Sequence, residues 1–339
     1  MATPQRLTRR ASGGHDRHLT AIQFWTEPLA TATEKPQTST LRDLQFRAEY
    51  ALLRLIVGAV RLVPLGFATR SSAWFWRRFA PRLSPKRHRR ALDNLAIAFP
   101  EKSEAERDVL AHDHWENLGR VMAETMRLDQ IVADPSRITM KNPEIFNRYA
   151  HKLGPVIGAS LHMGNWELAV WPMTLAGANP AAVYRSVNNP YVDRYLRYQR
   201  KDLYPGGLFG RGGVDGDHGE SQKTARAIMD FVRQGGRLGV VCDLYDRTGL
   251  PVPFFGKDAA TVTIPAMIAR RTGARIWMSR CTRVGTDSRF EIEVKELRVP
   301  RTANQSEDVK WATAAMTRQF EVWVRETPEQ WMWSNRRWS

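Results

Sequence analysis

In the segment Leu161-His162-Met163-Gly164-Asn165-Trp166-Glu167 a histidine and a glutamate stand five residues apart. These residue types can run general-base chemistry together: a carboxylate holds one imidazole nitrogen and leaves the other free to take a proton. No serine is needed if the nucleophile belongs to the substrate. Five residues of regular helix would turn through roughly 500° and set the two side chains well apart. The residues between them remove that difficulty. Gly164 admits the unusual backbone angles of a bend, and Asn165 is a natural N-cap for a helix beginning at Trp166. Glu167 then falls in the first helical turn, where the helix dipole favours its ionised form. The competing reading is local structure alone, a hydrogen-bonded strand-end histidine beside an ordinary first-turn glutamate, and spacing by itself does not separate the two.

The neighbouring elements must position this pair. Residues 155–161, rich in Val, Ile and small side chains, predict a buried strand, and 166–176 predict a helix kinked at Pro172 and stopped at Gly177, so His162 sits where strand hands over to helix. Further strands are expected at 181–185, 237–243, 274–282 and 290–297, separated by helices at 190–202, 220–234 and 261–272, with a last helix at 307–326. A helix over 103–128 opens with a capping box, Ser103 with Glu106. The alternation predicts an α/β fold with a mixed, largely parallel central sheet flanked by helices and an antiparallel pair around Gly285. Ligands of such sheets bind beyond the carboxyl ends of the strands, where His162, Arg185 and Asp243 all fall.

Four segments in register carry a resemblance that covers most of the chain after residue 88. They are Arg89-Arg90-Ala91-Leu92-Asp93-Asn94 through Pro100 with Trp115-Glu116-Asn117 and Glu124; His162 through Glu167; Tyr184-Arg185-Ser186-Val187-Asn188-Asn189-Pro190; and Asp243 through Val252-Pro253-Phe254-Phe255-Gly256-Lys257 to Pro328-Glu329-Gln330-Trp331-Met332-Trp333. The chain resembles the lipid A late acyltransferases, the lauroyl and myristoyl transferases of Gram-negative envelopes, with their His-x4-Asp/Glu motif. It departs from the family pattern at Asn335, where His is expected, and at Leu244, where Gln is more usual.

The resemblance implies transfer of a fatty acyl group from an acyl carrier protein thioester to a hydroxyl of a lipid A precursor, with His162 as general base, Glu167 orienting it, and no cofactor or metal. Acyl-CoA as donor to another glycolipid or lysophospholipid, and a non-enzymatic basic protein binding membrane or nucleic acid, are the alternatives. Arg185 is expected near the acyl carbonyl or an acceptor phosphate, against a surface salt bridge. Asn188 helps position the same ligand. Asp243 anchors Arg185 or the acceptor sugar, or is a strand-end turn aspartate. Backbone donors near Gly164 complete the substrate-binding set. The loop of Phe254 and Phe255, and the cluster of Trp331, Trp333 and Trp338, each suit either a functional edge or simple packing.

A net charge of +16 favours anionic lipid and an acidic carrier protein as partners; without a nucleic-acid-binding signature, nucleic acid is the weaker choice. Cys242 and Cys281 lack metal spacing and read as small buried strand residues. His112 and His114 face different sides of their helix and carry no chemistry. Residues 1–40 are polar, without a secretory signal, and are expected to be disordered. Residues 41–85 are expected to form a membrane-associated helical region and 86–339 the acyltransferase domain, placing the protein on the cytoplasmic face of the inner membrane. Arg47, Arg54 and Arg61 recur every seven residues, so one helix would lay them along a stripe, snorkelling to phosphate headgroups with the leucines in lipid, or would pack on the enzyme core. Gly-rich 209–214 is expected to be a flexible loop, and the acidic 215–220 lacks calcium-ligand spacing.

Overall fold

The structure is a computed structural model that describes residues 40–147, 154–211 and 218–338. The expected disorder of the N-terminal segment, the end of the Gly-rich stretch and the first half of the acidic stretch lie outside the described residues. Two compact units divide the chain: Met1–Leu44, of which 40–44 form the first turn of a helix, and Gln45–Ser339, which holds all that follows.

Helices come first, with α1 at Thr40–Leu62, α2 at Leu65–Leu83, α3 at Pro85–Ala98, α4 at Glu104–Thr125 and the short α5 at Leu128–Val132. Pro64 separates α1 from α2, and the expected capping box opens α4: Ser103 Oγ accepts the Glu106 N–H while the Glu106 carboxylate accepts the Ser103 N–H. Helices α2 and α4 touch backbone to backbone at Gly119, where a Cβ would lie 2.6 Å from the Ser72 carbonyl oxygen.

The arginine stripe of α1 turns toward the protein instead of toward headgroups. Arg61 makes two bonds to Asp129, 2.9 and 2.6 Å, and a third to the Met126 carbonyl. Arg54 bonds the Tyr50 hydroxyl and lies over the Tyr195 ring, and Arg47 lies over Tyr191. Leu52, Leu55, Ile56 and Leu62 are consequently exposed, Leu62 at 87%. The cause is chemical: aspartate, carbonyl and tyrosine partners on the enzyme capture the guanidinium groups, and the opposite, apolar side is left outward.

The remaining elements build the sheet. They are β1 (Ile138–Met140), α6 (Glu144–Asn147), β2 (Val156–Gly164), α7 (Trp171–Leu175), β3 (Ala181–Arg185), α8 (Pro190–Gln199), β4 (Gly207–Arg211), α9 (His218–Arg233), β5 (Arg237–Val241), β6 (Tyr245–Phe254), β7 (Lys257–Thr261), α10 (Ile264–Thr272), β8 (Arg275–Arg283), β9 (Phe290–Leu297) and α11 (Gln305–Glu326). Seven strands run in the order β1-β9-β8-β2-β5-β3-β4, parallel except for the β8–β9 hairpin, whose connection contains Gly285 at φ 68°. The largely parallel sheet and its antiparallel pair therefore match expectation. Strands β1, β4, β6 and β7 were not expected. The first residues of the Gly-rich stretch belong to edge strand β4, not to a loop.

Strand β2 is central and buried on both faces. Ile157, Ala159 and Leu161 enter one apolar cluster with Leu238, Ile276 and Trp323, while Val156 enters a second with Leu168, Met173 and Trp277. Strands β6 and β7 form a separate hairpin closed by Phe255 and Gly256, both at positive φ (53° and 73°), as a two-residue turn of the right twist requires. That turn delivers Phe254 and Phe255 to Trp331, Trp333 and Trp338, all buried, so the aromatic cluster is core packing.

Candidate active site

His162 lies inside β2, which runs three residues further than expected. Its pairing with β8 shifts between Ser160 and Gly164, and β2 leaves β5 after the Ser160–Val241 pair. Beyond that point the C-terminal segment takes over as neighbour, with Met163 bridging Trp331 and the Met332 N–H donating to the His162 carbonyl. Carrying the β2–β5 register forward two residues on each strand sets His162 beside Asp243. The contact is made: His162 Nδ1 is 2.7 Å from Asp243 Oδ1, and the His162 backbone N–H donates to Oδ2 at 2.9 Å. Trp331 Nε1 donates to the same Oδ2 at 2.7 Å.

Asp243 is 3% exposed, and burial opposes its ionisation. The opposite charge of His162, with hydrogen bonds from its ring, its N–H and Trp331, outweighs that penalty and holds the carboxyl below the usual carboxylate range. An ionised carboxylate only accepts, so Nδ1 carries a proton, and in the neutral imidazole Nε2 keeps its lone pair. The ring packs edge-on against Trp166, 5.2 Å between centroids, and among the described residues no hydrogen bond engages Nε2. The arrangement is an imidazole oriented by a buried aspartate, a geometry that suits general-base chemistry.

The carboxylate that meets the imidazole is therefore Asp243 in place of Glu167. Among the described residues no bond joins Asp243 to Arg185, and Glu167 faces Arg200, which donates from Nε and Nη2 at 2.8 and 2.5 Å. The reason is local. Residues Trp166–Val170 form a 3-10 helix, in which successive side chains stand about 120° apart, so that Trp166 covers the imidazole and Glu167 turns away. The single kinked helix expected over 166–176 is likewise two pieces, because Pro172 cannot donate, and Trp171 bonds Leu168 over the shorter 3-10 span. Asn165 precedes the turn but makes no side-chain cap. Its amide donates instead to Glu124 of α4 at 3.0 Å.

That bend is tied down from several sides. Gly164 has φ 56°, and a Cβ there would fall 1.9 Å from the Cys281 carbonyl oxygen, so only glycine fits. Asn117 of α4 donates to both the Gly164 and Gln330 carbonyls. Glu124, wholly buried, gathers Arg283, Asn165 and Ser288 into one network. Arg200, Trp331, Asn117 and Arg283 were missed as contributors. For Trp331 and Asn117 the signal was present in the flanking motif segments, whereas nothing local marks Arg200 or Arg283.

Arg185 ends β3 with its side chain exposed, and no ion pair engages it among the described residues. The β3–β5 ladder carried forward sets it level with Cys242, on the same sheet edge as Asp243. Asn188 is exposed in the following loop, while its neighbour Asn189 is buried, caps α8 through Tyr191 and Val192, and donates to Phe46 and Glu49 of α1. Cys242 and Cys281 are free and buried, as expected. Away from the edge, His88 and His112 flank Asp108. His88 Nδ1 accepts the Trp115 indole N–H, so neutral His88 carries its proton on Nε2 and presents no lone pair toward Asp108.

A family model described as bacterial lipid A biosynthesis acyltransferase matches residues 39–339. The chain belongs to this family. It is an acyltransferase, which removes the non-enzymatic reading. It is 27% identical over 267 residues to the lipid A biosynthesis myristoyltransferase of Escherichia coli K12 and to lipid A biosynthesis acyltransferase 1 of Shigella flexneri, each alignment covering 76% of both chains.

In this acyltransferase the Glu167–Arg200 pair packs beside Tyr184, with Arg200 5.4 Å from the ring centre. Breaking such a buried pair on one side leaves an uncompensated charge, which costs about 3–5 kcal/mol. Glu167→Ala should therefore lower the melting temperature markedly while leaving the pH dependence of kcat/KM in the surviving folded enzyme unchanged. A displaced pH profile with unaltered stability would return Glu167 to His162.

Proposed function

We propose that this acyltransferase moves a fatty acyl group from an acyl carrier protein thioester to a hydroxyl of a lipid A precursor at the cytoplasmic face of the inner membrane. The observation that carries the reading is the Asp243–His162 hydrogen bond, which leaves Nε2 as the basic nitrogen. Nε2 takes the proton of the acceptor hydroxyl as its oxygen attacks the thioester carbonyl. The tetrahedral oxyanion then collapses, the carbon–sulfur bond breaks, and the imidazolium returns the proton to the departing thiolate, giving ester and free thiol. Arg185, exposed at the same edge, supplies a cation for the oxyanion or an acceptor phosphate. Asn188 and the backbone about Gly164 lie in the segments that flank this edge.

Two features support a membrane setting. The net charge of +16 suits an anionic surface and an acidic donor protein. Leu52, Leu55, Ile56 and Leu62 of α1, with Phe67, Trp74 and Phe75 of α2, are exposed. Among the described residues no helix is long and apolar enough to cross a membrane, so these side chains favour seating in the interface.

Purified full chain with a lipid A precursor, given acyl carrier protein and coenzyme A thioesters in parallel and followed by mass spectrometry, tests donor and acceptor. One added acyl mass from the carrier donor is the expected result. Transfer only from coenzyme A would change the donor and keep the chemistry, and acylation only of a lysophospholipid would overturn the acceptor.

A further inference from the structure

Arg337, third from the C-terminus, is only 2% exposed. Its Nη2 donates to Thr261 Oγ1 at 2.9 Å, Nη1 reaches the Ala260 carbonyl at 3.4 Å, and the guanidinium lies 4.7 Å from the centre of the Phe254 ring. Every one of these partners is neutral, and Nε has no hydrogen-bond partner among the described residues. A buried cation held only by neutral groups is costly, and it needs a counter-charge nearby. One is at hand. Arg337 lines a small cavity of about 10 Å³ together with Asp243, the only carboxylate in its wall.

The cavity is the right size for a single water and has polar walls in Asp243, Thr261, Thr313, Thr317 and Arg337. Asp243 Oδ2 already accepts two hydrogen bonds, but among the described residues Oδ1 accepts only that of His162 and has a lone pair to offer. Apart from His162, which meets Asp243 from outside the cavity, the other lining groups carry no charge. Burial pushes the Cys242 thiol far up and keeps it neutral, and α11 contributes only Thr313, Met316, Thr317 and Phe320 to the wall. Burial pulls Arg337 down and the Asp243 carboxylate partly offsets it; the net value of about 10 leaves it a cation at neutral pH.

We propose that Arg337 is a positioning residue of the acid–base pair, a buried cation that acts across the water-sized cavity to hold Asp243 ionised and so sets the pH range in which His162 works as a base. The proposal rests on the His162 reading above. Removing the positive charge makes the dyad easier to protonate, so the acid limb of the kcat/KM profile, which reports His162 and Asp243 together, moves to higher pH.

Arg337→Met should shift that limb upward by about one pH unit, and Arg337→Lys, which keeps the charge, should restore most of the shift. A lower rate with an unmoved limb in Arg337→Met would show a purely structural role and overturn the proposal. If Arg337→Met fails to fold, the double variant Arg337→Met/Asp243→Asn decides by thermal unfolding. Recovery of a folded protein when both charges are gone supports the pairing, and a double variant no better folded than the single overturns it. A fully active His162→Ala protein would sink the base assignment, yet the unfolding comparison would still report on the pairing, so the two failures are distinguishable.

Discussion

His162→Ala is expected to lose about 100- to 10,000-fold in turnover, the usual worth of a positioned general base, while the protein still folds. Folding should survive because the ring sits at the end of β2 beyond its last pair with β5, with its side chain 17% exposed. The Asp243 carboxylate left behind keeps two of its three hydrogen bonds, from the residue-162 backbone N–H and from Trp331 Nε1. Single-turnover transfer measured beside far-UV circular dichroism separates the two effects. A variant that folds and retains full activity would remove His162 from the chemistry, and one that is insoluble would mark it as structural.

Asp243→Asn should be as damaging as the largest loss expected there, on the order of 10,000-fold, though the side chain keeps its shape. The hydrogen bonds dictate why. Two N–H donors point at the Oδ2 position, so the amide oxygen of asparagine must occupy it and the amide NH₂ must take the place of Oδ1. Facing a donor, the imidazole has to present a lone pair at Nδ1 and move its proton to Nε2, the nitrogen meant to receive one. Nitrogen NMR of the imidazole would register the tautomer change directly, and a variant with unchanged tautomer and rate would refute the assignment of Asp243. The sign of the pH dependence follows from its lowered pKa. Relative to an ordinary aspartate at 3.8, the stability this carboxylate contributes is complete above that value and is lost as pH falls through the lower folded one. Acid inactivation well above that value would therefore not report loss of the Asp243 charge.

Much of the frame was legible in local patterns. Apolar runs at 155–161, 237–243 and 274–282 became the three adjacent strands β2, β5 and β8, because a strand buried on both faces needs a continuous apolar stretch whatever its partners. The capping box at Ser103 was likewise short-range, and the bend at Gly164 was signalled by the residue type itself, since glycine alone takes its positive φ without strain. The missed strands lacked that signal. Strand β4 lies at the sheet edge and contains two glycines, β6 carries Pro251 and Pro253, and β1 is three residues long.

What local patterns could not supply was which carboxylate meets His162. Glu167 was the nearer candidate by sequence, five residues away, and Asp243 stands 81 residues on. The choice was made by the β2–β5 register, which aligns Ser160 with Val241 and thereby His162 with Asp243, and by a 3-10 turn that spent the side of the helix facing the imidazole on Trp166. The orientation of α1 was decided the same way, since seven-residue spacing lays Arg47, Arg54 and Arg61 on one stripe but only Asp129, Tyr191 and Tyr195, brought near by folding, determine that the stripe faces inward. Residue types and short-range spacing thus determined the strands, the caps and the presence of a histidine at a sheet edge, for these depend on atoms a few bonds apart. Strand register and helix docking, which depend on the mutual burial of distant segments, decided its partner, the arginine behind that partner and the face left open.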